Sequence, residues 1–151
     1  VVLLSHACVD KGLALMKIPP DMDAAFSKFI PPFGAAGNPV DITGGEPPTT
    51  YANTIRYALG EPPIHSLILG YWHTIITPPM VLAKLCAEVV EEARGKGIDK
   101  PVVASLVGDV EVEQASEYLY ERGIVAYPYT TELPVAVLGA KYKWARGAGV
   151  L

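Results

Sequence analysis

The sequence predicts an α/β domain with a mostly parallel sheet and helices on both faces. Three apolar segments, 66–69, 101–107 and 124–127, lack polar–apolar alternation, as expected of parallel strands that are covered on both faces. Helical segments that end at glycines separate them, and this alternation predicts a parallel sheet with helical crossovers. The chain of 151 residues, of which 50% are hydrophobic, suffices for one ordinary core.

The first fifty residues predict two helices, one short strand and a loop. Residues 1–11 have apolar positions at helical spacing and end in a lysine–glycine pair, which is typical of a helix C-terminus. The apolar run Leu13–Met16 predicts a buried strand, and a helix over Met22–Phe29 follows with Asp21 as its cap. Residues 31–50 are rich in proline and glycine and predict a structured loop rather than a linker between domains.

Helices and strands alternate from residue 49 onward. The predicted order is a helix over 49–58, a strand over 66–69, a helix over 77–94, a strand over 101–107, a helix over 109–122, a strand over 124–127 and a helix over 133–146. Thr77 and Asp109 begin two of these helices, so their side-chain oxygens are expected to cap them. This order predicts a flavodoxin-like or Rossmann-like layered domain. Because no strand precedes the first helix, we expect residues 1–151 to be one domain of a longer chain, with its first strand absent.

The composition argues against several classes of protein. Twelve Lys and Arg against 16 Asp and Glu give a net charge of −4, so no basic field attracts nucleic acid. No apolar run approaches the roughly 18 residues of a membrane span. Cys8 and Cys86 lie far apart among apolar residues, which favours reduced, buried thiols over disulfides or a metal cluster. We therefore expect a cytoplasmic protein with no signal peptide and no metal site.

No P-loop, G-x-G-x-x-G, G-x-S-x-G, C-x-x-C or H-E-x-x-H motif occurs in the sequence. One candidate binding segment nevertheless lies in the predicted loop of residues 31–50. It contains Asn38, Asp41, Gly44 and Gly45 ahead of a predicted helix. Glycines before a helix allow backbone N–H groups to face an anion, which the helix dipole also favours. The alternative, which we favour, is a turn that needs positive φ, with Asn38 and Asp41 bonded to local backbone.

The other candidate segment, Tyr71-Trp72-His73-Thr74, follows a predicted strand at the carboxyl end, where open α/β sheets bind ligands. His73 is a weak catalytic candidate, as a general acid or base or as a hydrogen-bond donor to a phosphoryl group. The sequence identifies no partner carboxylate for it, so a packing role is the alternative. Pro78 and Pro79 remove two N–H donors from the next helix N-terminus. We expect Tyr71 to Thr74 to be partly exposed and to lie beside Gly44 and Gly45.

Several segments, taken in order, resemble one family, the NDP-forming acyl-CoA synthetases. Val2–Leu13 is similar to a helix of that family that follows a glycine-rich turn, and Gly37–Gly44 contains an Asn-Pro-Val-Asp sequence like the family's own. Lys100–Ser105, followed by Glu121–Ile124 and Ala126–Tyr127, resembles a strand, a helix end and a Gly-Ile-Pro-x-Tyr step. Each segment is weakly specific alone, but their shared order covers nearly the whole chain.

The resemblance implies the last flavodoxin-like ligase domain, which ends the α chain of the acetate enzyme and the β chain of the succinate enzyme. Such enzymes join an acid to CoA with ATP and Mg through an acyl phosphate and a phosphorylated histidine. In that family the phosphorylated histidine belongs to a catalytic-histidine domain, a Rossmann domain binds CoA, and an ATP-grasp domain holds the nucleotide. The domain that this chain resembles is therefore expected to bind no cofactor alone. In the succinate enzyme, glycines that face the phosphohistidine occupy the place of residues 71–77. Tyr71-Trp72-His73-Thr74 departs from that pattern, so direct phosphate binding by this loop is not expected. Because the family's phosphorylated histidine belongs to a neighbouring domain, His73 is not expected to be that residue.

Two functions follow from the sequence. The first is a structural or half-site domain of an acyl-CoA synthetase, inactive alone and expected in an oligomer. The rival is a self-standing flavodoxin-like module that binds a small anionic ligand or flavin. A ligand that binds the isolated chain would distinguish the rival from the first hypothesis.

Overall fold

A computed structural model describes residues 2–150, which contain six α-helices and three β-strands; helices and strands alternate from the third helix onward. The elements are α1 (Val2–Asp10), α2 (Pro20–Phe26), α3 (Pro48–Gly60), β1 (Leu67–Trp72), α4 (Pro79–Gly95), β2 (Val102–Val107), α5 (Val110–Tyr120), β3 (Val125–Pro128) and α6 (Glu132–Gly147). Among these residues, no helix combines the length and apolarity that crossing a bilayer requires.

The three strands form a parallel sheet in the order β1-β2-β3. Leu67 is paired with Val102, and Val103 is paired with Val125. The central strand, β2, is buried over Val102–Leu106, as its unbroken apolar sequence predicted for a strand covered on both faces. The predicted α/β class with a parallel sheet is therefore confirmed.

Helices cover both faces of this sheet. One apolar cluster joins α3, α4 and α5 to Tyr71, Ala104 and Leu106 of the strands. On the opposite face, α1 packs against α6, and Leu4, Cys8 and Val135 form a smaller cluster that includes the partly buried Ile68. The result is the three-layer, flavodoxin-like arrangement that the sequence predicted.

Helix α5 illustrates how local sequence starts a helix after a strand and buries one face of it against the sheet. The carboxylate of Asp109 accepts a hydrogen bond from the backbone N–H of Glu111 at 3.1 Å and caps the first turn. Val112, Ala115 and Leu119 follow at helical spacing and are buried against the sheet. The predicted cap is confirmed, and a cap of this kind contributes about 1 kcal/mol.

The structure differs from the sequence prediction in the first half of the chain. Leu13–Met16 is not a strand, because no neighbouring backbone pairs with it. Asp21 lies inside the first turn of α2, whose N-cap is Pro19. Thr77 does not cap α4, whose N-cap is Pro78. The predicted helix at 1–11 is observed as α1, and Val1 lies outside the described residues.

Candidate functional site at the carboxyl edge of the sheet

The loops that follow the three strands meet at one edge of the sheet. Parallel strands point their carboxyl ends in the same direction, so the segments after Trp72, Val107 and Pro128 start side by side. The backbone N–H of His73 donates to the carbonyl of Val107 at 2.8 Å, which extends the pairing of β1 and β2 by one residue. This pairing fixes His73 next to the start of α5.

Two carboxylates flank the imidazole of His73. Its Nδ1 lies 3.2 Å from Oδ1 of Asp109, and its Nε2 lies 3.7 Å from Oε2 of Glu111. The His73 side chain is 25% exposed, and both carboxylates are more exposed than it is. The sequence alone identified no partner carboxylate for His73, whereas the structure places two beside it. The sequence contained the information needed to find these carboxylates, because Asp109 and Glu111 follow β2, the strand that pairs with β1.

Gly108 makes this cluster possible. A Cβ at position 108 would lie 2.6 Å from Cβ of His73 and 2.9 Å from Cγ1 of Val112, closer than real Cβ atoms come. A larger residue would push His73 away from Asp109 or displace the first turn of α5. The cluster therefore depends on close backbone approach at position 108.

Tyr71 holds the β1–α4 loop from inside the protein. Its hydroxyl donates to the carbonyl of Thr77 at 2.6 Å and accepts from the backbone N–H of Thr74 at 3.2 Å. Burial raises the pKa of this hydroxyl, so it stays protonated as a donor. Tyr71 is only 6% exposed, which corrects the expectation that it would lie in an exposed loop.

The hydroxyl of Thr77 ties the same loop to the segment before α3. It donates to the carbonyl of Glu46 at 2.8 Å. Two residues earlier in that segment, a Cβ at Gly44 would lie 3.4 Å from Cγ2 of Thr74. This contact confirms the predicted neighbourhood of Gly44 and Thr74.

The Asn38–Gly45 loop is organised by side-chain hydrogen bonds to backbone. Asp41 Oδ1 accepts from the N–H of Thr43 at 2.9 Å, as the turn interpretation predicted. Asn38 instead donates to the distant carbonyl of Met16 at 3.0 Å. The positive φ of 62° falls at Thr43, whereas Gly44 and Gly45 have no positive φ, which corrects that part of the prediction.

The carboxyl ends of the strands, and the segments that follow them, carry large exposed apolar side chains. We call this group the carboxyl-edge rim: Trp72, Ile75, Ile76, Val110, Tyr129 and Leu133, all exposed. Trp72 is 71% exposed and Ile75 is 97% exposed. The hydroxyl of Tyr129 donates to the carbonyl of Asp109 at 3.1 Å, which joins the β3–α6 loop to the cluster. An exposed apolar group of this extent is typical of a protein interaction surface.

The charges at this edge favour a cation over an anion. Asp109 and Glu111 stand on either side of His73, so a phosphate that approached the imidazole would meet two carboxylates. Within the part of the chain that the structure describes, no three His, Cys, Asp or Glu side chains gather as metal ligands do.

The family of the chain is decided by comparison with known proteins. A statistical model of the Ligase-CoA domain family matches residues 1–151. The chain belongs to this family. The resemblance to acyl-CoA synthetases that the sequence motifs indicated is thereby confirmed.

Relatives of this Ligase-CoA domain include subunits of acetate–CoA ligases. The α subunit of ADP-forming acetate–CoA ligase I from Pyrococcus furiosus is 36% identical over 145 residues, which cover 96% of this chain and 30% of the relative. The ADP-forming acetate–CoA ligase of Methanocaldococcus jannaschii is 30% identical over 144 residues, or 95% of this chain and 20% of that protein. This Ligase-CoA domain thus spans less than a third of each relative.

A solved structure supports the same assignment. The apo form of acetyl-coenzyme A synthetase 1 from Ca. Korarchaeum cryptofilum superposes with a TM-score of 0.86 at 36% identity, covering 96% of this chain and 31% of that chain. The same synthetase was also solved in complex with phosphate and ADP. This Ligase-CoA domain therefore has the fold of one part of a larger synthetase.

Proposed function

We propose that this Ligase-CoA domain is the docking and half-site domain of an ADP-forming acyl-CoA synthetase. The parent enzyme would convert an acid, CoA and ATP into acyl-CoA, ADP and phosphate through a phosphohistidine. In this proposal the domain forms one wall of the reaction site and has no turnover alone. The carboxyl-edge rim around His73 is the observation that carries the proposal.

The rim supports docking because its residues expose apolar area at the sheet edge where α/β domains form their sites. Trp72 ends β1, and Ile75 and Tyr129 come from two different loops, so the surface depends on the folded sheet. Asp109 and Glu111 add negative charge beside this apolar area. The partner surface would present apolar side chains with a Lys or Arg opposite the two carboxylates.

The proposed partners are the other domains of the same enzyme. The catalytic-histidine domain would face the rim, a Rossmann domain would hold CoA, and an ATP-grasp domain would hold ATP with Mg. Phosphoryl transfer requires several anion-stabilising groups together, and this domain supplies one wall of such a site. His73 would contact the partner surface, because its carboxylate neighbours oppose an approaching phosphoryl group. Asn38, Asp41 and Gly44 would support the wall rather than bind an anion themselves.

Turnover by the purified chain tests one half of the proposal. We expect no acyl-CoA from acid, CoA and ATP when the chain is alone, and turnover only when the partner domains are present. Acyl-CoA formation by the isolated chain would contradict the proposal. Binding of one specific small anion or flavin to the isolated chain would instead support a self-standing module.

Variants of the assembled parent enzyme test the role of the rim. We expect His73→Ala and Trp72→Ala to lower the steady-state rate while the phosphoenzyme still forms from ATP. His65→Ala is the matched control, because His65 is exposed ahead of the opposite end of β1. Loss of the phosphoenzyme in a folded His73→Ala enzyme would show that His73 is itself phosphorylated. An unchanged rate in both rim variants would refute the docking role.

A further inference from the structure

The last two turns of α6 lie outside the packing of the domain. The buried residues of α6 end at Gly139, where a Cβ would lie 3.1 Å from Cβ of Lys11. Of residues 140–147, Ala145 is partly buried and all the others are exposed. At 1.5 Å per residue, this segment extends about 12 Å beyond the last packed position. We call residues 140–147 the α6 arm.

The α6 arm is a formed helix with a defined end. The N–H of Val150 donates to the carbonyl of Ala145 at 2.9 Å, and the N–H of Gly149 donates to the carbonyl of Arg146 at 3.3 Å. Gly149 has a φ of 67°, which completes a glycine C-cap. Because the arm is already helical, it needs little further ordering to bind a partner.

The α6 arm exposes an indole and three cations. Trp144 is 69% exposed, and Lys141 lies one turn before it on the same face of the helix. Among residues 2–150, no carboxylate forms an ion pair with Lys141, Lys143 or Arg146. The arm contains no Asp or Glu, although the whole chain has a net charge of −4. The arm therefore suits an acidic surface with space for an aromatic ring.

Helices α4 and α5 provide such a surface on the opposite face of the sheet. A recess of about 490 Å³ lies between them. It is lined by Ala87, Glu91, Arg94, Gly95 and Arg122. Gly95 borders open space, since a Cβ there would have no heavy atom within 4 Å. In the described part of the chain, Glu91 forms no ion pair, and a guanidinium such as that of Arg94 stacks favourably on an indole.

The α6 arm and the recess lie at the same end of the sheet. Helices α4 and α5 end where β2 and β3 begin, and there Arg94 donates to the carbonyls of Arg122 at 3.2 Å and Gly123 at 3.4 Å. Helix α6 starts after β3 and packs along the sheet, so its last turns lie at this amino end. The sheet separates the arm from the recess of its own chain. A two-fold axis at this end would place each arm on the recess of another copy.

We propose that the α6 arm is a dimerisation element that docks in the recess of a second copy of this chain. Trp144 would lie against Ala87 and Gly95, and Lys141 would face Glu91. A second copy is the occupant because its recess offers the carboxylate and the open space that match the arm. Two-fold symmetry makes the two contacts equivalent, so association ends at the dimer. The proposal does not depend on the docking function of the rim, which lies at the other end of the sheet.

Sedimentation of the 151-residue chain over a range of concentrations tests the proposal. We expect a monomer–dimer equilibrium that Trp144→Ala weakens by at least about tenfold, since buried aromatic anchors dominate such contacts. Lys141→Glu and Glu91→Lys should each weaken it similarly, because each places like charges opposite one another. Lys143→Glu is the matched control, because a residue two positions from Lys141 lies on another face of the helix, and it should change the dissociation constant by less than about threefold. Circular dichroism confirms that each variant is folded.

A mixture of the two charge variants tests the contact itself. In a dimer of one Lys141→Glu chain with one Glu91→Lys chain, both contacts pair opposite charges. We therefore expect the mixture to dimerise at concentrations where each variant alone is monomeric. The double variant should likewise dimerise with itself.

Four outcomes would overturn the proposal. A wild-type chain that stays monomeric at every concentration would exclude the dimer. A mixture that fails to dimerise would mean that Lys141 and Glu91 do not meet. Loss of the dimer in Trp72→Ala, with Trp144→Ala unaffected, would assign self-association to the rim. Binding of a monomer to vesicles of anionic lipid, abolished by Lys141→Glu, would assign the arm to a membrane surface.

Discussion

Replacing Tyr71 with phenylalanine removes one hydroxyl and tests how the β1–α4 loop is held. The phenol is buried, so Tyr71→Phe removes the hydrogen bond to the N–H of Thr74 and leaves the carbonyl of Thr77 with only the longer hydrogen bond from the Thr74 hydroxyl, at 3.4 Å. Two hydrogen bonds of this kind contribute about 1 to 3 kcal/mol together. A chain of this size loses about 2 to 4 °C of melting temperature per kcal/mol, so we expect a decrease of about 2 to 12 °C.

The assay is thermal unfolding followed by circular dichroism, with Tyr120→Phe as the control. Tyr120 is 68% exposed, so loss of its hydroxyl should change the melting temperature by less than about 1 °C. In the assembled enzyme, Tyr71→Phe should also lower the rate, because the loop that presents Ile75 becomes less restrained. Equal melting temperatures for Tyr71→Phe and the unmodified chain would refute the view that this hydroxyl holds the loop.

Three other predictions concern stability. Burial raises the pKa of the Cys86 thiol to about 12, against about 8.5 in unfolded chains. The free energy of unfolding should therefore fall as pH rises above the unfolded value, and Cys86→Ala should show a smaller fall in urea titrations at alkaline pH. Asp109→Ala should cost about 1 kcal/mol by loss of the α5 cap, whereas Asp109→Asn should keep the cap and most of the stability in the same titration. Gly34→Ala should destabilise by about 1 to 3 kcal/mol, because its Cβ would lie 2.6 Å from the Asp41 carbonyl oxygen, while Gly37→Ala meets open space and should be neutral by calorimetry.

Local sequence patterns were sufficient to predict an element where that element and its neighbours lie within the described chain. The apolar run that became β2 is covered on both faces, and Asp109 could be assigned as a cap because the hydrogen bond spans two residues. Helix N-caps next to prolines were harder to predict from the sequence, as at α4, whose N-cap is Pro78. Thr77 precedes two prolines, and its hydroxyl bonds to Glu46, 31 residues earlier, which no local rule reveals.

The sequence predicted where the candidate site lies on the sheet, but not which side chains contact one another there. The rule that ligands bind at the carboxyl ends of parallel strands led to Trp72 and His73. The same rule applied to β2 would have brought Asp109 to His73, because adjacent parallel strands end together. Leu13–Met16 has the sequence of a strand without the structure of one, since a strand requires a paired neighbour and none is present among residues 2–150.

The β1–α4 loop is held at both ends, and this lowers the conformational entropy that it can lose when a partner binds. Thr74 and Thr77 are both bonded to the Tyr71 hydroxyl, so the two isoleucines between them are displayed on a short span fixed at each end. Ordering a free loop on association costs conformational entropy, and the hydrogen bonds at Thr74 and Thr77 restrict this span before any partner arrives. A rigid apolar projection of this kind allows contact by simple docking, without a folding step at the interface.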